Sequence, residues 1–501
     1  MLRQRVSELC AAIFILVIGV IISGTHPNIK TFGRRGFVFA YSSYESRQAP
    51  ISNCNIVGQS NLKFNINTGL AKQGTNDKDR SKSKIDYVIY INWDGFAYRY
   101  YEWANSPGLP GTPILNYLIS RGTLFTHTYN GFPSVTRPMQ TSIVTGAWPA
   151  THGNTYIYYD LSENIVKDAG AENSSETIAE VLAEQGFSSA SVQQFALKGR
   201  NIRSNDPHHL YVQPSGSWHK RVIEAIKLLR QEPVNAENGQ SIIIPGIPGF
   251  LAIYADDLDA TGHNLGLNYG FSLAFNYETW KDKLIHKLIS MDLDLGLLVD
   301  ALNDLGILDQ TVIILTSDHG MSHYKGKTSL PDVLETLNKL GYITEILSPG
   351  EKASPGTDIV ILKGGDLSLQ FYFLWDITPV DYNKIINALR NKPYFGGYMS
   401  RDQLAKAGAH PAFGSLYIWA DPPHHFSFNN LYLRIGGQHN TGDESSRRVF
   451  MLFSGAGVND GVIVDRPTSI IDVAPTISHL LGVRQPFDSS GDILKEAVAG
   501  Y

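Results

Sequence analysis

Six carboxylate and imidazole side chains stand in four short stretches: Asp94 in "NWDGF", Asp259 and His263 in "DDLDATGH", Asp318 and His319 in "TSDHG", and His439 in "GGQHNTGD". The first three follow the apolar runs "YVIYINW", "FLAIY" and "VIILTS". Ligands of α/β proteins collect outside the carboxyl ends of such strands. Carboxylate oxygen with imidazole nitrogen suits a divalent cation, with zinc first and manganese or iron as rivals. Taken singly, an Asp after a strand is more often a turn former or helix cap. Four such stretches in succession exceed turn chemistry and point to a metal site. Residues 131–146, "GFPSVTRPMQTSIVTG", add Thr136 where an apolar strand hands over to a helix. It is either a helix cap, worth ~1 kcal/mol, or a nucleophile, and the two roles are compatible.

Positioning these residues requires strands that end level. Order begins with "IDYVIYINWDG", a continuous apolar run of the kind a buried parallel strand shows. Thr112-Pro113 opens a helix that closes at Gly122, and "TLFTHTY" reads as a strand. Asn173 and Glu176 form a capping box ahead of a helix ending at Gly186. "FLAIYADD", a long helix from Glu278 to about Leu305, and "QTVIILTSDHG" continue the alternation, which predicts an α/β fold with a mainly parallel sheet. Between 324 and 430 the pattern loosens into short elements, "TDIVILKGG" and "SLQFYFLW" being the clearest strands, and reads as an inserted cap subdomain. The α/β core thus spans 85–323 and 431–501, closing with "RRVFMLFSG" and "SIIDVAPTISHLLG".

Upstream, Arg3 and Arg5 precede "CAAIFILVIGVII" and the small residues Ser23 and Gly24, the order of a secretory signal over 1–24. An uncleaved anchor, with membrane attachment through 10–23, is the alternative. Either way the chain is expected to be secreted or held at the cell surface. Residues 25–84 form a polar, flexible lead-in. With Cys10 in the leader, Cys54 has no partner and no intramolecular disulfide forms. A net charge of -5 is too mild to imply a nucleic-acid polymer as partner.

The segments "NWDGF", "FPSVTRPMQTSIVTGAWPATHG", "DDLDATGHNLG", "TSDHGMS" and "GGQHNTGD", in this order, resemble the alkaline phosphatase superfamily. Within it they are similar to the type I phosphodiesterase/nucleotide pyrophosphatase branch, with the phosphonoacetate hydrolase-like branch a near relative. The resemblance implies a three-layer sandwich with an inserted cap and a site for two divalent cations. It implies that Asp94, Asp318, His319 and Thr136 hold one ion, and Asp259, His263 and His439 the other. It also implies that Thr136 is the nucleophile of a two-step hydrolysis of a small-molecule phosphoester.

Departures from the resemblance bear on specificity. Three residues after the nucleophile those branches carry an asparagine that binds phosphoryl oxygen; here it is Met139, which cannot donate. Arg137 is the substitute expected to bind substrate, with Gln140 a second candidate. Asn440 replaces a glycine and tolerates unusual backbone angles. Threonine for Cys or Ser, and Gln140 for arginine, argue against a sulfatase. The aromatics Phe96, Tyr98, Tyr100, Tyr101, Trp103, Tyr156, Tyr158 and Tyr159 either wall the site or pack between core and cap. The reading is therefore an exported phosphodiesterase or nucleotide pyrophosphatase. A phosphomonoesterase or phosphonoacetate-type hydrolase is the alternative within the class, and a non-catalytic metal-binding surface protein the alternative outside it.

Overall fold

β1 (Tyr87–Trp93) is the first apolar run, and from Val88 onward every residue in it is buried. A strand covered on both faces must be apolar on both, which is why the run does not alternate. The computed structural model describes residues 84–170, 172–265 and 273–501, all within one unit spanning Gly74–Tyr501. The expected leader, the membrane-attachment segment 10–23, nearly all of the polar lead-in and both cysteines lie outside the described residues.

Seven strands join β1 in the main sheet: β2 (Gly122–Tyr129), β3 (Ser189–Val192), β4 (His209–Val212), β5 (Phe250–Ala255), β6 (Thr311–Thr316), β7 (Arg448–Gly455) and β8 (Val462–Ser469). Their order across the sheet is β8-β2-β7-β6-β1-β5-β3-β4. Within it β7 alone runs against the others, so the sheet is mainly parallel as expected. Asn92 of β1 lies beside Thr316 at the end of β6, and Trp93 beside Ala255 at the end of β5. These three central strands finish level, so the residues just past them emerge together.

Helices cover both faces. They are α1 (Pro113–Ser120), α2 (Thr136–Thr145), α3 (Ile178–Glu184), α4 (Trp218–Leu229), α5 (Asp257–His263), α6 (Tyr277–Asp304) and α7 (Val473–Leu480). Ile89, Ile91 and Trp93 pack with Trp218 of α4 and Leu284, Leu288 and Leu295 of α6. On the opposite face Val88 and Tyr90 pack with Met139 and Ile143 of α2, Val181 of α3 and Ile477 of α7. Strand alternation divides β1 between two cores, and the result is three layers.

Local chemistry differs from expectation at two helix starts. Thr112 stands at the N-cap of α1 with Pro113 behind it, but its side chain makes no cap bond. Asp292 of α6 does that work, accepting from Ile114 N at 3.0 Å and Leu115 N at 2.7 Å. The capping box of α3 is Thr177 with Glu180, not Asn173 with Glu176. Asn173 instead accepts from Ser175 N, and Glu176 grips Arg484 with both oxygens, at 2.6 and 2.7 Å.

Residues 322 to 438 leave and rejoin the core through an antiparallel ribbon, Ser322–Lys327 paired with Leu431–Gln438. Between them lies a five-stranded sheet ordered Thr344–Ile346, Ile359–Lys363, Ser368–Phe373, Leu416–Ala420, Phe395–Ser400. One face, with Ile361, Phe371 and Ile418, packs against Val333, Leu337, Ile386 and Leu389 of two helices. The other meets the core. Val360 and Tyr372 pack on Tyr159 and Val166 of a hairpin, and Tyr417 lies edge-on to Phe132, just ahead of α2. Among the described residues no helix is long and apolar enough to cross a membrane.

Candidate active site

The six expected carboxylate and imidazole ligands arrive from four elements. Asp94 follows β1; Asp318 and His319 follow β6; Asp259 and His263 sit four apart on one face of α5; His439 follows the returning ribbon strand. Backbone contacts stitch these pieces together. Asp94 N donates to Ala255 O at 2.8 Å, and Asp259 N donates to Asp94 O at 3.1 Å. Gly95 turns away there with φ +76°, and a Cβ on it would stand 2.9 Å from Asp259 Cα. Gly437 meets α5 as closely, since a Cβ on it would lie 2.0 Å from Gly262 O.

Two clusters result, sharing His319. Ligand-type atoms of Asp94, Asp318 and His319 lie within 4.8 Å of one another, as do those of Asp259, His319 and His439. His319 Nε2 stands 3.2 Å from Asp94 Oδ1 and 3.7 Å from Asp318 Oδ2. Asp259 Oδ1 stands 3.3 Å from His263 Nε2 and 3.9 Å from His439 Nε2. Ligands about 2.0–2.1 Å from one tetrahedral ion stand roughly 3.3 Å apart, so the spacing suits shared cations.

Hydrogen bonding supports the same fit. Each imidazole is held through Nδ1 by a carbonyl: His319 by Gly320 at 2.9 Å, His263 by Gly437 at 2.8 Å, and His439 by Ser134 at 3.1 Å. Nδ1 then carries the proton, and Nε2 turns its lone pair inward. Asp94 Oδ1, Asp259 Oδ1 and Asp318 Oδ2 are buried and receive no hydrogen bond. Buried carboxylate oxygens are almost always satisfied, so three unsatisfied ones in one place form a group that could hold a cation.

Electrostatics agree. Burial, then the charges of Asp318 and Asp259, push the Asp94 carboxyl well above its ordinary range. Burial, then the neighbouring His319, push His439 well below the imidazole range. Burial also works to raise Asp259, but His263, His439 and His319 outweigh it and hold that carboxyl low. Cations would reverse the penalty on Asp94.

Thr136 lies at the junction of the clusters, its Oγ1 3.0 Å from His319 Nε2. It is the first residue of α2, and Val135 holds the cap position, so the simple cap role is vacant. Arg137 follows, exposed, its charge reaching the phenol of Tyr156, which has φ +63°.

Other expected site residues stand elsewhere. Gln140 is fully buried with its amide bonded at both ends, to Asn92 and to Gln194, so it does not face a substrate. Met139 is equally buried, its Sδ accepting from Gly131 N, so its side chain is directed into the core. Phe96, Tyr98, Tyr100 and Tyr159 are core rings rather than a binding wall. Asn440 has φ +59°, as its residue type allows, and its carbonyl accepts from Ser368 Oγ and Tyr417 Oη of the cap.

Supporting residues were not legible. Tyr254 donates to Asp94 Oδ2 from the end of β5, and Asn130 Nδ2 bonds Ser134 Oγ at 2.7 Å and Asp318 O at 2.9 Å. A tyrosine in an apolar strand and an asparagine before a Gly-Phe-Pro turn carry no motif; only the alternation of β5 hints that Tyr254 shares a face with the strand end.

Residues 88–426 match the family described as type I phosphodiesterase / nucleotide pyrophosphatase. The chain is 23% identical over 429 residues to bis(5'-adenosyl)-triphosphatase ENPP4 of Bos taurus, covering 81% of this chain and 80% of that one. It is 23% identical over 327 residues to the venom phosphodiesterase of Macrovipera lebetinus, covering 63% of this chain and 33% of the other. The fold superimposes on murine ectonucleotide pyrophosphatase / phosphodiesterase 5 with a TM-score of 0.53 at 16% identity, covering 80% of this chain and 96% of that structure. The chain belongs to the type I phosphodiesterase / nucleotide pyrophosphatase family and is a hydrolase of phosphoric ester bonds.

Proposed function

We propose that the protein cleaves nucleotide-type phosphodiesters and pyrophosphates through a covalent phosphothreonine on Thr136, in a site that holds two divalent cations, zinc being the best match to the donors. The observation that carries this reading is the position of Thr136 Oγ1, 3.0 Å from the one imidazole common to both ligand clusters. The relatives support the substrate class: one is named for bis(5'-adenosyl) triphosphate cleavage. An inactive variant of the murine relative, with a threonine replaced by alanine, is solved in complex with AMP.

Asp94, Asp318, His319 and Thr136 would hold one cation, and Asp259, His263 and His439 the other. When bound, such cations neutralise the three carboxylates and make a threonine hydroxyl or a water acidic enough to react near neutral pH. Thr136 Oγ1 attacks phosphorus, forming the Oγ–P bond as the leaving-group oxygen departs on the opposite side. Water then attacks the same phosphorus, the Oγ–P bond breaks, and Thr136 Oγ1 takes up a proton as the phosphate product leaves with the oxygen of the water. The N–H groups of Thr136 and Arg137, in the first turn of α2, have no carbonyl partner within the helix and would serve phosphoryl oxygens at its positive end. Exposed Arg137 would add a cation for substrates with extra negative charge. Export, as a secreted or cell-surface enzyme, follows from the order of residues 1–24.

The test is a panel of nitrophenyl phosphate, bis-nitrophenyl phosphate, the nitrophenyl ester of thymidine 5′-monophosphate and phosphonoacetate, with added zinc or manganese and Thr136→Ala as control. A diester preference lost in the variant supports the reading. A monoester or phosphonate preference moves the protein to the alternative class, with Arg137 as the specificity residue.

A further inference from the structure

Gln140 lies one turn beyond Thr136 on the same face of α2. It is fully buried, as are Asn92 and Gln194. Gln140 Nε2 donates to Asn92 Oδ1 at 2.6 Å, and Gln140 Oε1 accepts from Gln194 Nε2 at 2.8 Å. The two partners are fixed points. Asn92 is in β1, two residues before Asp94, and its own Nδ2 donates to Tyr90 Oη at 3.4 Å. Gln194 follows Gln193, which turns through φ +61° after β3. Its N–H bonds Ser191 Oγ at 3.0 Å, and its Oε1 accepts from Ala196 N at 3.3 Å.

Elsewhere on this face α2 meets the sheet through apolar side chains such as Met139 and Ile143. Dispersion contacts are non-directional and let a helix settle over a range of positions; amide hydrogen bonds are directional. The two bonds of Gln140 reach from α2 to two separate elements and fix its register along the sheet. They also tie the helix that carries Thr136 to the strand that leads into Asp94. Thr136 Oγ1 stands 3.0 Å from His319 Nε2. Asp94 Oδ1, two residues past Asn92, stands 3.2 Å from the same nitrogen.

We propose that Gln140, held between Asn92 and Gln194, is a positioning residue that sets Thr136 Oγ1 against the Asp94–His319 cluster. This rests on the reading of Thr136 as nucleophile. It assigns to Gln140 no contact with substrate.

The experiment compares Gln140→Met, Gln194→Met and the double variant of the full chain, with the thymidine nitrophenyl ester as substrate. Bound metal is measured alongside, and rates are expressed per folded enzyme. Misplacement of a reacting group by about 1 Å can cost about 100-fold, so kcat should fall roughly 10–100-fold in Gln140→Met. KM and metal content should stay within about twofold, and the double variant should fall little further than Gln140→Met alone. Unchanged kcat, or a raised KM with kcat preserved, overturns the proposal and leaves Gln140 a core residue. If Gln140→Met does not fold, Asn92→Ala breaks the same link from β1 and is judged by the same split. Thr136→Ala separates the two ideas. If that variant still turns over, the nucleophile reading fails first; if it is inactive while Gln140→Met is unimpaired, only the positioning proposal fails.

Discussion

Around Thr136 the carboxylates Asp94, Asp259 and Asp318 each keep a buried oxygen that no donor reaches, whereas one turn along α2 the Gln140 amide is bonded at both ends. Both groups adjoin α2, and Asp94 and Asp318 are as buried as Asn92, Gln140 and Gln194, so for these residues the difference lies in chemistry rather than exposure. A satisfied buried amide pair stabilises and orients its elements. Converging unsatisfied carboxylates cost stability and persist only where a cation offsets them. Unsatisfied charge therefore marks what binds, and satisfied polarity marks what holds it still.

The largest expected effect separates binding from stability. Asp94→Asn should weaken metal binding by more than about 100-fold and abolish turnover in proportion. The same change should stabilise the metal-free protein by roughly 1–3 kcal/mol, because a neutral amide replaces a buried, repelled carboxylate. The pH dependence checks the sign. The folded Asp94 carboxyl titrates above the ordinary 3.8, so the metal-free folded state binds the proton more tightly. Stability is lost as pH rises from about 4, and the asparagine variant lacks that slope. Chelated protein melted across a pH series reads both.

His152 supplies the opposite slope on the satisfied side. It is buried, 2.9 Å from Ser142 Oγ, accepts from Asn154 N at 3.2 Å, and burial lowers its pKa from 6.5 to about 3. The unfolded chain takes up that proton first, so stability is full above about pH 6.5 and declines as pH falls, by at most about 1.4 kcal/mol per pH unit. His152→Gln should flatten that decline in acid melts while turnover per folded enzyme at pH 8 stays within about twofold. Arg137→Ala should do least: stability within about 0.5 kcal/mol, and a roughly 3–10-fold loss on monoesters that exceeds the loss on diesters. Equal losses on both would return Arg137 to the solvent-facing surface.

What the sequence disclosed follows the same division. Asp94, Asp259, Asp318 and His319 were legible because they interrupt or follow apolar runs, and a parallel sheet brings such ends together. His263 was legible with Asp259 in "DDLDATGH", just past the apolar run "FLAIY". The face a helical residue presents was not legible. Gln140 lies where a substrate contact could be expected, one turn from Thr136, yet it faces the sheet; Met139 is directed into the core. The capping box of α3 was displaced by four residues because Asn173-x-x-Glu176 and Thr177-x-x-Glu180 carry nearly the same signal. What decides between them is Arg484, 308 positions away from Glu176, which claims that carboxylate.

The central claim is that Thr136 becomes covalently phosphorylated during turnover. The direct measurement is an acid quench of the zinc-loaded enzyme turning over the thymidine nitrophenyl ester, followed by mass spectrometry of the peptide spanning residues 131–146. The account predicts a nucleotidyl or phosphoryl adduct on Thr136 that appears within the first turnover and is absent from Thr136→Ala. Full turnover with no adduct at any quench time, together with an active Thr136→Ala, would contradict it.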